Sequence, residues 1–155
     1  MAKEFLLYFL FFVTLTLING KCLSKQILSI SSGTSFGMCF GYCRQSISIK
    51  SNPKYELITL KEPNYPQATF PIEEKQYSYT ENEWKQLISL VDIESYEQLD
   101  ERIGCPDCAD GGAEWIEIQW GTKTKRVTFE NGQLIKGFEG FINELRNLRN
   151  KFIRN

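Results

Sequence analysis

The sequence predicts an α+β fold, a single antiparallel sheet of five or six strands packed against two amphipathic helices. Three observations lead there. Short segments alternate apolar and polar residues, longer ones carry apolar residues at helical spacing, and four of the five cysteines form two tight pairs, Cys39-x₃-Cys43 and Cys105-x₂-Cys108.

Gln26–Phe36 alternates through Leu28, Ile30, Thr34 and Phe36, and Arg44–Lys50 repeats the pattern with Ile47 and Ile49 inward and Ser46, Ser48 and Lys50 outward. Between them Gly37 and Gly41 allow a sharp turn, so the two segments read as a hairpin with a cysteine-bearing tip. Tyr55–Leu60 is a third strand, introduced by Asn52-Pro53. Lys61–Pro71 contains Pro63, Pro66 and Pro71 and reads as an extended surface loop, with groove binding by a proline-rich segment as the less favoured alternative. Lys75–Tyr79 forms a short strand. Thr80 then opens a helix, with Glu83 completing a capping box and Trp84, Leu87, Ile88 and Val91 on one buried stripe. A second helical piece spans Ser95–Arg102 and stops at Gly104. Glu114–Trp120 alternates with Ile116, Ile118 and Trp120 facing one way, and Gly121-Thr122 turns it into Lys123–Glu130. After a turn at Asn131-Gly132, a helix over Lys136–Phe152 places Phe138, Phe141, Ile142, Leu145, Leu148 and Phe152 on one stripe. Arg146, Arg149 and Lys151 lie near its end, where positive charge complements the helix dipole; contact with anionic lipid is the weaker account.

Ahead of these elements, Phe5–Ile18 is an uncharged apolar run. It is shorter than the ~20 residues that cross a hydrocarbon core and suits the central region of a cleaved signal peptide. The expected division is a signal peptide over residues 1–24 and one α+β domain over 25–155. Cutting after Ser24 removes Cys22 and leaves an even set of four cysteines, whereas cutting after Gly20 leaves Cys22 unpaired. A lipid anchor through Cys22 is disfavoured because Lys21 stands where a lipoprotein signal needs a small residue. The expected location is periplasmic or secreted, with no stable membrane span after signal cleavage.

Eighteen basic residues against nineteen acidic give a net charge of −1, which does not favour nucleic acid as a partner. Histidine is absent, so Ser-His-Asp and Cys-His nucleophilic systems and imidazole metal sites are excluded in their usual forms. No phosphate loop or complete catalytic constellation stands out, no catalytic residue is assigned, and no cofactor is expected.

Three chemistries fit Cys39, Cys43, Cys105 and Cys108. Export favours disulfides, with three connectivities open. Bridges between the pairs would span roughly sixty residues and contribute on the order of 4 kcal/mol each, more than local bridges, so chain entropy favours cross-linking the two turns. The same four thiolates at such spacing also suit zinc, the alternative reading, which an exported chain makes less favoured. Thiol–disulfide exchange at Cys105-Pro-Asp-Cys108 is the third reading; Asp107 and Asp110 disfavour the thiolate it requires.

Asp107, Asp110 and Glu114 crowd one turn and raise the question of a divalent cation, but their spacing does not match a helix-loop-helix calcium loop. Asp110-Gly111 reads more simply as a turn. Asp92, Glu94, Glu97, Asp100 and Glu101 read as a solvated helix face. Trp115 is a candidate contact residue if exposed.

Gly37-Met-Cys-Phe-Gly-Tyr-Cys43-Arg44 before an alternating strand, Cys105-Pro-Asp-Cys-Ala-Asp-Gly-Gly-Ala-Glu-Trp-Ile116 and the closing helix together resemble a group of exported bacterial proteins of unknown activity. In that group a Cys-Phe-Gly-x-Cys turn lies between two early strands, usually with proline after the second cysteine, where this chain has Arg44. The resemblance implies a bacterial envelope domain and carries no catalytic residues. With no histidine, no phosphate loop and no complete catalytic constellation, the expected role is non-enzymatic, binding a protein or small-molecule partner or serving structurally, in a domain stabilised by disulfides.

Overall fold

A computed structural model describes residues 25–66 and 68–154; the expected signal segment, with its cleavage site and Cys22, lies outside the described residues. Seven strands form one sheet: β1 (Ile27–Ser35), β2 (Arg44–Lys50), β3 (Glu56–Glu62), β4 (Glu73–Ser78), β5 (Arg102–Ile103), β6 (Ala113–Trp120) and β7 (Lys123–Glu130). Their order is β4-β3-β2-β1-β6-β7-β5. Three helices accompany them: α1 (Glu81–Ile88), α2 (Ile93–Gln98) and α3 (Glu139–Ile153).

The α+β class stands, but the sheet has more strands than expected and is mixed. Its additional strand, β5, is two residues long, pairs parallel to β7 and is anchored by the Thr128 amide donating to the Glu101 carbonyl at 2.8 Å. No two-residue strand can show a period. The helical piece expected over Ser95–Arg102 instead begins after Asp92, whose side chain accepts the Glu94 amide at 3.1 Å. It ends at Leu99, whose backbone is extended, freeing Arg102–Ile103 for the sheet. The Thr80–Glu83 capping box forms as read: the Thr80 amide donates to Glu83 Oε2 at 2.8 Å and the Glu83 amide to Thr80 Oγ1 at 3.2 Å.

Alternation sorts the sheet into two faces. Ile30, Ile47, Ile49, Leu57, Ile116 and Ile118 point to one side and are buried with Phe141, Ile142, Leu145 and Leu148 of α3, which packs across β1, β2 and β3. Each such side chain contributes about 1.5–3 kcal/mol on burial, so this layer dominates the stability of the fold. Tyr96 of α2 reaches the same layer and donates its hydroxyl to the Ile116 carbonyl at 2.9 Å; burial pushes its phenol well above the ordinary range.

On the opposite face β1 and β2 present small residues. Ser31 donates to Ser48 across the pair at 3.0 Å. Gly33 lies under Trp115: a Cβ at position 33 would sit 2.6 Å from Trp115 Cζ2 and 2.8 Å from the Gln45 carbonyl oxygen. The other side of the indole is covered by Arg126, its guanidinium 4.0 Å from the ring centroid and its Nε donating to Glu117 at 3.0 Å. Trp115 is thus half-buried within its own sheet face rather than an open contact residue.

Gly33→Ala therefore forces Trp115 off its seat and is expected to destabilise the chain by about 1–3 kcal/mol. Denaturant unfolding followed by circular dichroism measures this. An unchanged midpoint would contradict the packing described.

Candidate functional site

Antiparallel pairing brings four connections to one end of the sheet: residues 36–43 between β1 and β2, 63–72 between β3 and β4, 104–112 between β5 and β6, and 131–138 between β7 and α3. Both cysteine pairs lie there. Each is bonded within its own turn, Cys39 to Cys43 and Cys105 to Cys108, with Cα atoms 5.5 Å apart in both. Cross-linking between the turns, favoured by chain entropy, is not what the structure shows. The reason is local backbone closure. The Phe36 amide donates to the Cys43 carbonyl and the Cys108 amide to the Cys105 carbonyl, both at 3.1 Å, folding each pair into bridging range before any longer contact is needed. Such short loops add rigidity to the turn more than stability to the fold.

Hydrogen bonds sew the neighbouring turns together without sulfur. Asn64 Nδ2 donates to the carbonyls of Phe36 and Gly37 at 2.8 Å, tying the proline loop to the tip. The Gly37 amide donates to Asp107 Oδ1 at 3.4 Å, linking the two cysteine turns, and the Cys105 amide donates to Glu130 Oε1 at 2.8 Å. Asp107, Ala109 and Asp110 all adopt positive φ, which permits the turn to reverse within a few residues.

The first tip is apolar on its outside. Met38 and Phe40 are 80% and 75% exposed, and Tyr65 and Ile72 on the proline loop are 56% and 66% exposed. Phe70 packs edge-on to Phe40 at 5.2 Å and to Tyr42 at 5.4 Å. Tyr42 donates its hydroxyl to Glu73 Oε1 at 2.6 Å; that bond pushes the phenol up to about 12 and holds the Glu73 carboxyl below its usual range.

Behind the tip, a cleft of about 400 Å³ opens between β1, β6 and the last turns of α3. Glu114 forms its floor and is 1% exposed. Arg146 Nε donates to both carboxylate oxygens at 3.1 Å, and its Nη2 to Oε2 at 2.6 Å. Arg149 donates through Nη2 to Oε1 and through Nη1 to the buried Ser32 hydroxyl. Burial pushes the Glu114 carboxyl up, but the bonds from Arg146 and the charge of Arg149 outweigh it and hold the group below its ordinary range.

The three expected acids thus have separate fates. Glu114 is consumed by arginines, Asp107 accepts the Gly37 amide and Asp110 is exposed on the turn. Among the described residues, no three of His, Cys, Asp and Glu come together as a metal-ligand group, for zinc or for a divalent cation. Nor do Arg146 and Arg149 lie free at a helix end; they turn inward. No family model and no curated protein matches the chain. Among the described residues, no helix is long and apolar enough to cross a membrane.

Glu114→Ala leaves two guanidiniums beside an apolar layer and is expected to cost about 3–5 kcal/mol. The pH dependence has a definite sign. A carboxyl whose folded pKa is depressed contributes fully above its ordinary value of 4.5 and loses that contribution as pH falls through the folded pKa. The stability gap between wild type and Glu114→Gln should accordingly be widest near neutrality and shrink below about pH 4.5, as followed by urea unfolding across pH. A gap independent of pH would contradict the charged pairing.

Proposed function

We propose that this chain is an exported, disulfide-stabilised binding domain of the bacterial envelope, without an enzymatic site, and that it takes a protein partner at the cysteine-bearing end of its sheet. The observation that carries this reading is the cluster of Met38, Phe40, Tyr65 and Ile72, each more than half exposed at that end. Holding four large apolar side chains in water is unfavourable, and concentrated apolar surface marks interaction sites. They do not sit on loose loops. The Cys39–Cys43 bridge, the Asn64 bonds and the Phe70 contacts hold them in place, so little conformational entropy remains to be lost on binding.

Export is supported by the apolar run Phe5–Ile18 and by two cysteine pairs at bridging separation, since such bonds persist outside the cytoplasm. The resemblance to exported proteins with a Cys-Phe-Gly-x-Cys turn points the same way. A redox role for Cys105–Cys108 is less well supported: Asp107, Asp110 and Glu130 lie near the pair and disfavour a thiolate, an effect that Arg102, donating to the Pro106 carbonyl at 3.3 Å, offsets only in part.

Two measurements test the reading. Intact mass of the processed chain, alkylated with and without reductant, should show four blocked sulfurs and loss of the leader; free thiols with a bound transition ion would refute it. A photocrosslinker placed at Phe40 should then yield a discrete protein adduct in the envelope fraction, abolished by Met38→Ser. The same probe at Thr122, at the opposite end of the sheet, should yield none. Equal crosslinking at both positions would refute the proposed surface.

A further inference from the structure

The cleft beside Glu114 carries more positive charge than its floor can balance. One buried carboxylate faces two guanidiniums, Arg146 and Arg149, and the remaining ionisable side chain lining the cleft is a third arginine, Arg154. Among the described residues Arg154 makes no ion pair. The C-terminal carbonyls of α3 offset roughly half a unit charge, which leaves the cation in excess. Arg146 and the buried Arg149 share a single carboxylate and Arg154 is exposed to solvent, so an anion drawn from solvent is the direct way to neutralise the excess.

Hydrogen-bonding capacity points in the same direction. Arg149 donates once to Ser32 and once to Glu114, so among the described residues the other N–H groups of its fork have no acceptor. Thr34, Asn131 and Asn150 also line the walls, and none of their side chains has a hydrogen-bond partner among the described residues. Residues with hydroxyl, amide and guanidinium groups line about 400 Å³, a space of small-ligand size.

We propose that this cleft binds a small oxyanion, the carboxylate or phosphate group of a metabolite-sized molecule, held between Arg149 and Arg154. Guanidinium forks match the oxygen spacing of both groups. Glu114 has a positioning role: its bonds hold Arg146 and Arg149 where they line the cleft. The site is separate from the apolar tip, and neither requires the other.

The test uses the purified, oxidised chain titrated with inorganic phosphate or with citrate at constant ionic strength, followed by thermal unfolding and calorimetry. At least one anion should raise the melting temperature saturably while chloride does not. A response to phosphate alone assigns a phosphoryl ligand, and a response to citrate alone assigns a carboxylate. Arg154→Gln and Asn150→Ala, which leave the Glu114 pairing intact, should each weaken that binding, Arg154→Gln by about tenfold or more. No saturable response to either anion, or binding that both variants retain unchanged, would overturn the proposal.

Discussion

A carboxylate on the inner face of the sheet is the constraint around which this molecule is organised. Glu114 shares its face with Ile116, Ile118 and Trp120, a setting in which an unpaired charge is prohibitive. Its tolerance depends on Arg146 and Arg149 descending from α3. The bonds fix how far α3 slides along the sheet and how it is rotated, because Leu145 and Leu148 enter the apolar core on the same helix turns that present the arginines. Net stability is not what such a group provides; apolar residues of equal volume often do as well. What it provides is direction. An apolar layer tolerates sliding, whereas a bidentate arginine–carboxylate pair does not.

That fixed geometry has consequences for the end of the sheet where the loops gather. The arginines seat the C-terminal half of α3 next to β1 and β6, and the space left beside them becomes the cleft. In front of it the two cysteine turns, the proline loop and the turn after β7 form a continuous rim, joined by Asn64, Asp107 and Glu130. The bridges stiffen individual turns, while side-chain bonds to backbone groups join one turn to the next. An apolar outer surface and a cationic inner one therefore occupy adjacent positions on the same rigid end.

Much of this was legible in the residues. Strict alternation in Arg44–Lys50 and Glu114–Trp120 marks buried strands, and the Thr80–Glu83 capping box marks where α1 begins, because these signals are local. The Glu114 cluster was missed although a signal existed: period two carried back from Ile116 puts position 114 on the buried face, and a buried carboxylate demands cations. Arg146 and Arg149 sit beside Leu145 and Leu148 at the margin of the apolar stripe, the right place to supply them. Reading them as helix-end charges used only local sequence. Strand β5 was illegible because a parallel pairing of two residues is decided by β7 alone. The cysteine connectivity went astray because loop entropy was weighed without the backbone bonds that close each turn first.

The central claim is that Glu114 and Arg149 act as one unit, and a double-mutant cycle tests it most directly. Glu114→Gln, Arg149→Met and the double variant are compared with wild type by denaturant unfolding at neutral pH. The account predicts a coupling energy of about 1–3 kcal/mol, with the double variant more stable than the sum of single losses implies. Additive losses, with coupling near zero, would contradict that claim.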